Sequence, residues 1–274
     1  MVITREILPS PSLQAYVRCY AIRTFDTGTD ILFKPFHALH EFFLTFWLLG
    51  EPLMILGENG KRRVYGTETQ GIGLQTSSKG MMHFSGRNRL FSIQFRPNGF
   101  YRIFGVPGDE VTDRVFSAQD CLGSEFSAYH QRLMGMNDVA VIEETDRILL
   151  KRLATSPAKD GYDAITRISR LMYERPGEVN IVQLAAQANM SLRSFENHYH
   201  QQVGVLPKMY LRLWRFNRAL EQKLYNPHRD WTNIAGENGY FDQNHLVKEF
   251  KSFAGDTPLH FFRNSAPPIE NFLR

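Results

Sequence analysis

Between residues 162 and 263, apolar residues recur at three- and four-residue spacing in short blocks, the period of helices with one buried face. Two of these blocks are copies. Ala185, Asn189 and Met190 return fifty positions later as Ala235, Gly239 and Tyr240, and Phe195, Tyr199 and Gly204 return fifty-one later as Leu246, Phe250 and Gly255. Each copy predicts a short apolar helix, a tight turn at a residue that tolerates left-handed backbone, and a second helix closing at glycine. This is a helix-turn-helix written twice. On a helical wheel from Phe195, Tyr199 lies about 40° away, whereas Arg193, Asn197 and His200 lie about 140–200° away. From Leu246, Phe250 and Phe253 fall on the apolar side, and Asn244, Lys248 and Lys251 take the same three opposite angles. Both second helices therefore bury one side and turn outward side chains that can bond base edges or phosphates.

The amino-terminal pattern has period two. Leu90 to Arg96 alternates Phe91, Ile93 and Phe95 with Ser92, Gln94 and Arg96, predicting a strand with one buried face. Asn59-Gly60, between Leu53–Leu56 and Arg63–Tyr65, signals a hairpin because both turn residues accept positive φ. Many short strands over residues 1–96 suggest a small β-barrel or jelly roll. Helical pattern begins after Pro97 and includes an amphipathic helix over Val139 to Leu153 carrying Ile142, Thr145, Ile148, Leu149 and Arg152. A linker is expected over Ala154 to Gly161, where Thr155-Ser156-Pro157 interrupts the helical pattern. Tyr162, Ile165, Ile168, Leu171 and Met172 then start the carboxy-terminal domain, with a stop at Pro176-Gly177. The expected fold class is α+β: residues 1–155 as a barrel-like sensor or dimerisation domain with trailing helices, and residues 162–266 as an all-α DNA-binding domain.

Composition changes this picture little. The 274 residues are 43% hydrophobic, enough for two cores. Net charge is +4, and residues 160–274 hold 14 Lys and Arg against 12 Asp and Glu, so electrostatics must work by placement. Met1 to Phe25 lacks the apolar core of a secretory signal, and Phe42 to Leu49 is too short to span a bilayer. With two cysteines, Cys19 and Cys121, no disulfide framework is expected, and a reduced cytoplasm is the plain inference.

Catalytic motifs are missing: there is no phosphate loop, nucleophile elbow or paired-cysteine motif. His37, His40 and Glu41 lie close in sequence, and His83 would approach them in a barrel. Their spacing departs from the H-x-H pattern of metal oxygenases, so a structural role is expected, with no metal, no cofactor and no catalytic residue. Phe42, Phe43, Phe46 and Trp47 form an aromatic cluster suited to a core or to an effector pocket. An alternative reading is a barrel-type metal-dependent enzyme or sensor fused to a DNA-targeting helical domain.

The run Ile234-Ala235, Gly239-Tyr240-Phe241-Asp242-Gln243, Phe250-Lys251, Gly255, Thr257-Pro258 and Phe262-Arg263 resembles the AraC/XylS family of bacterial transcription regulators. The first unit agrees through Leu184-Ala185, Met190-Ser191, Phe195, Tyr199, Gly204 and Tyr210, with Arg215 and Ala219 on the joining helix. Phe95–Gly99 through Gly105-Val106-Pro107 resembles sensor-like domains attached to some such regulators. The resemblance implies seven helices and two recognition helices entering successive major grooves, about 34 Å apart on one face of the duplex. A helix over Lys208–Leu224, carrying Arg212, Arg215 and Arg218, would hold them apart, with Arg215 in an ion-pair or phosphate role. Arg193, Glu196 and Asn197 would then face bases in one groove and Gln243, Asn244 and Lys248 in the next, with His200 and Lys251 toward phosphate. Relatives often have arginine where this chain has Asn197 beside Glu196, so the first helix should contribute less non-specific affinity. The connector between Ala219 and Ile234 is one residue longer than usual. Expected partners are double-stranded DNA, RNA polymerase, a small-molecule effector and a second copy of the chain, with no membrane.

Overall fold

The computed structural model describes residues 2–50, 54–56, 62–64, 68–158, 164–175 and 179–264. Its amino-terminal half is an eight-stranded antiparallel sheet. The order is β1 (Val2–Ile7), β2 (Val17–Pro35), β7 (Met81–Phe95), β3 (Phe42–Leu49), β6 (Thr69–Ile72) and β8 (Val115–Ser117), with β4 (Met54–Leu56) joining β7 and pairing β5 (Arg62–Val64). β4 and β5 pair as the hairpin signal predicts, Met54 opposite Val64. Asn59 and Gly60 themselves lie outside the described residues.

Two strands, β2 and β7, are long rather than short and carry the sheet. The alternation on β7 reads correctly on one side: Phe91, Ile93 and Phe95 are fully buried. They meet α1 (Gly99–Phe104), α4 (Glu125–Leu133) and α5 (Asp138–Thr155) in one apolar cluster. Phe42 stacks on Phe100 at 5.3 Å and Phe46 meets Tyr129 edge-on at 5.1 Å, so half the aromatic cluster is core. The other side corrects the sequence reading. Ser92 and Gln94, expected to face solvent, are 2% and 1% exposed, because helices of the carboxy-terminal half cover that face. β8 was not foreseen in the stretch read as helical. It follows α2 (Gly108–Val111) and precedes α3 (Ala118–Leu122).

α5 begins at the Asn137 cap, whose side chain accepts from Ala140 N–H at 3.0 Å. Its buried stripe, Val141, Thr145 and Leu149, faces the chain's own sheet, where Tyr20 donates to Asp146 at 2.6 Å. Residues 159–163, which include the end of the expected linker and Tyr162, lie outside the described residues, as do Pro176 and Gly177.

The carboxy-terminal half contains α6 (Ala164–Glu174), α7 (Ile181–Gln187), α8 (Leu192–Val203), α9 (Pro207–Tyr225), α10 (Trp231–Glu237), α11 (Gln243–Ala254) and α12 (Pro258–Asn264), seven helices among the described residues. Two anchors tie it to the sheet half. Buried Asn98 donates to Thr166 Oγ1 at 2.8 Å and Gln202 Oε1 at 3.0 Å, while Gly204 abuts α2 so tightly that a Cβ would overlap Thr112 Oγ1 and the Gly108 carbonyl. At the other end, Ala38 N–H donates to Phe253 C=O at 2.9 Å, and Ala38 C=O accepts from Asn217 at 3.2 Å. The far ends of α8 and α11 are thus each bonded to the sheet half.

Candidate nucleic-acid interface

The two units make equivalent bonds into their turns and at their caps. Asn189 (φ 55°) and Gly239 (φ 71°) take the left-handed backbone, and the next residue donates back to the preceding helix in both: Met190 to Ala185 and Tyr240 to Ala235, each at 3.0 Å. Ser191 and Asp242 then cap α8 and α11, accepting from Ser194 and His245 N–H. Both helices close at glycines with positive φ, Gly204 and Gly255. Phe195, Tyr199, Leu246, Phe250 and Phe253 are buried, as the wheel requires.

Of the outward residues, Arg193, Asn197, Gln243, Asn244, Lys248 and Lys251 are exposed, and Glu196 is half-buried. Lys248 and Lys251 have no ion pair among the described residues, which leaves their charge open to phosphate. Gln243 Oε1 accepts from Thr232 at 3.0 Å, an arrangement that leaves its amide N–H groups outward. His200 differs. It is half-buried, and its Nδ1 sits 3.5 Å from Asp109 of α2, so a carboxylate from the sheet half stands beside the first recognition helix.

α9 binds the second unit through a charge cluster. Glu249, 5% exposed, accepts at Oε1 from Arg212 at 2.7 Å and Arg215 at 2.9 Å. Arg215 also donates to the Gly239 carbonyl at 3.2 Å and lies 4.4 Å above the Tyr240 ring. Arg215 thus has the ion-pair role expected of it. Glu249 escaped the sequence reading, although a lone acid among the apolar positions of α11 that could meet Arg212 and Arg215 was a signal.

Between the second face of the sheet and helices α6 and α9 lies a cavity of about 780 Å³. Phe43 and Trp47, the other half of the aromatic cluster, line it with Phe84, Leu90, Trp214 and Leu220. Its floor is polar. Arg23, 7% exposed, reaches Ser92 Oγ at 3.5 Å, and Ser92 bonds Thr45 at 3.1 Å. Arg23 Nε, Trp47 Nε1 and Gln94 Nε2 are buried donors with no acceptor among the described residues. Glu41 closes one side, gripping Arg18 at 2.9 Å and accepting from Tyr173 of α6 at 3.3 Å.

Of the three histidines, His37 and His40 line this cavity. His37 Nδ1 lies 2.8 Å from Ala38 C=O, His83 stacks on Phe33, and burial lowers the pKa of His40 beside Glu41 and Tyr173. Among the described residues, no three His, Cys, Asp or Glu side chains converge to hold a metal ion. No described helix is long and apolar enough to cross a membrane.

Paired helix-turn-helix units with exposed polar faces, held by one helix, define a DNA-binding transcription regulator. Residues 184–264 match the model described as a helix-turn-helix domain, and residues 5–117 match a domain of unknown function (DUF6597). The carboxy-terminal half is a helix-turn-helix DNA-binding domain of the AraC type. No curated protein matches the chain. Among solved structures it is similar to ToxT from Vibrio cholerae O395, with TM-score 0.47 and 12% identity over 89% of this chain and 97% of that one. ToxT from Vibrio cholerae strain SCE256 bound to an unsaturated fatty acid gives 0.47 and 10% over 89% and 95%. The DNA-binding domain of AdpA in complex with a target DNA gives 0.33 and 23% over 36% and 89%.

Proposed function

We propose that the protein reads promoter DNA with α8 and α11 in successive major grooves and adjusts transcription under the control of a small molecule held in the cavity. The observation that carries this reading is the matched pair of capped helices whose outward residues stay exposed while their apolar faces bury. α9 supplies the spacing: its 19 residues make a rod of about 28 Å, suited to grooves about 34 Å apart. Arg193, Glu196 and Asn197 face bases in one groove and Gln243, Asn244 and Lys248 in the next, with Lys251 on phosphate. His200 joins the phosphate contacts only when Asp109 releases it. Fluorescence anisotropy against selected and scrambled duplexes tests this. Lys248→Ala should weaken binding by about 1–3 kcal/mol, for the selected duplex alone if it reads guanine and for both if it holds phosphate. Unchanged affinity for both removes Lys248 from the interface, and absence of salt-dependent binding by the parent chain removes the whole reading.

The cavity lies within the size range of small-molecule sites. Three buried donors without an acceptor among the described residues, beside an apolar wall, suit an anionic ligand with an apolar tail, its head on Arg23, Trp47 and Gln94. The division into units at residues 156–161, a cytoplasmic location suited to two unpaired cysteines, contact with RNA polymerase and a homodimer complete the reading. Light scattering on the full chain measures the last of these.

A further inference from the structure

The two units differ by one residue, and the structure locates it. The copies run fifty apart through Met190 and Tyr240, which make equivalent turn bonds, and fifty-one apart from the caps Ser191 and Asp242 onward. Phe241 is the residue without a counterpart. An insertion in a turn is ordinarily small or polar. This one is aromatic and 94% exposed, the most open large apolar side chain among the described residues.

Its position is fixed from below. Tyr240, 5% exposed, is clamped between Arg215 and His245, whose ring centroid lies 5.3 Å away, and Asp242 is locked as the α11 cap. Phe241 is held out between two anchored neighbours at the end of α11 that enters a groove first. Beside it stand exposed Gln243 and Asn244, with Lys248 one turn on. Side chains around the ring suit nucleic acid, and the apolar group that the major groove offers such a ring is the 5-methyl of thymine.

We propose that Phe241 is a specificity residue that packs on a thymine methyl at the edge of the site read by α11, a preference the first unit lacks. The inference rests on the DNA-reading function above. The test starts from a duplex selected by the full-length protein out of a random pool. Each thymine is then replaced by deoxyuridine, which removes only the methyl, and affinities are compared for the parent chain and Phe241→Ala. One or two replacements beside the α11 half-site should cost the parent about fourfold, as loss of one buried methyl group does, and cost Phe241→Ala nothing. Equal sensitivity of both proteins at every thymine overturns the proposal, as does a Phe241→Ala variant that binds DNA normally but loses a protein partner. A melting temperature matching the parent's excludes misfolding. Loss of binding in Lys248→Ala alongside equal thymine sensitivity shows that the DNA reading stands and only the Phe241 contact fails.

Discussion

Glu249→Gln isolates the charge cluster that fixes the second reader to α9. The substitution keeps shape and removes charge. In the parent, one carboxylate oxygen takes two charge-assisted bonds, from Arg212 and Arg215 at 2.7 and 2.9 Å, inside a site where the glutamate is 5% exposed. Breaking a fully buried pair costs about 3–5 kcal/mol, because an uncompensated charge stays behind. Here the two arginine side chains are 36% and 21% exposed, so water recovers part of the loss. The expected cost is about 2–3 kcal/mol. For a chain of this size that lowers the melting temperature by roughly 4–10 °C. Circular dichroism melts measure it, and tryptophan emission in a Trp47→Phe background follows the same half through Trp214 and Trp231. Glu174→Gln is the control: its pair with Arg170 is about half exposed, and its loss should cost under about 0.5 kcal/mol. DNA affinity should fall with stability, and the fall should come from the half-site under α11. A Glu249→Gln melting temperature within about 1 °C of the parent, or equal to that of Glu174→Gln, refutes the cluster as the anchor of that helix.

Asp109→Asn removes the carboxylate 3.5 Å from His200, and DNA affinity should rise about two- to fivefold at low salt and converge with the parent at high salt; a fall in affinity would show that α2 supports the first reader. Gly204→Ala forces a side chain into left-handed backbone (φ 96°) against Thr112 and Gly108, and should cost about 2 kcal/mol or more in a urea melt, whereas Gly123→Ala, also at positive φ (98°) but in open space, should cost less. Thiol titration with Ellman's reagent at pH 8 should find one accessible group in the native chain, half-exposed Cys121. Burial pushes the Cys19 thiol up to about 12, so it should react only on unfolding; two fast thiols would contradict the packing of β2.

The recognition helices were legible because their period, caps and turn residues are local: Ser191, Asp242, Asn189 and Gly239 act within a few residues of themselves. What lay hidden was set by contacts between distant segments. Ser92 and Gln94 alternate as solvent-facing residues would, and only the helices laid over that face turn them into a cavity floor. The aromatic cluster was ambiguous for the same reason. Phe42 and Phe46 point one way and Phe43 and Trp47 the other, so the cluster is core and pocket wall at once. The residue inserted in the second turn was present in the sequence as a change of offset from fifty to fifty-one. Placing it at Phe241 required the bonds of Tyr240 and Asp242.

Under the proposed function, the cavity gains its leverage from geometry. α9 roofs it through Trp214, Leu220 and Leu224, and the same helix sets the separation of the two readers. A tilt of about 10° at one end of a rod about 28 Å long moves the other end by about 5 Å. That is close to half the width of a major groove, about 12 Å. A ligand wedged between sheet and α9 therefore need not touch either recognition helix to decide whether both fit one duplex. The bonds from Asn98 to Gln202 and from Ala38 to Phe253 make the sheet half the frame against which such a tilt is taken. Filling the cavity should then change the coupling between the half-sites more than the affinity of either alone. Duplexes carrying one half-site or both separate the two effects, and a ligand that shifts single-site affinity as strongly as double-site affinity would place its action on a reader and not on the helix between them.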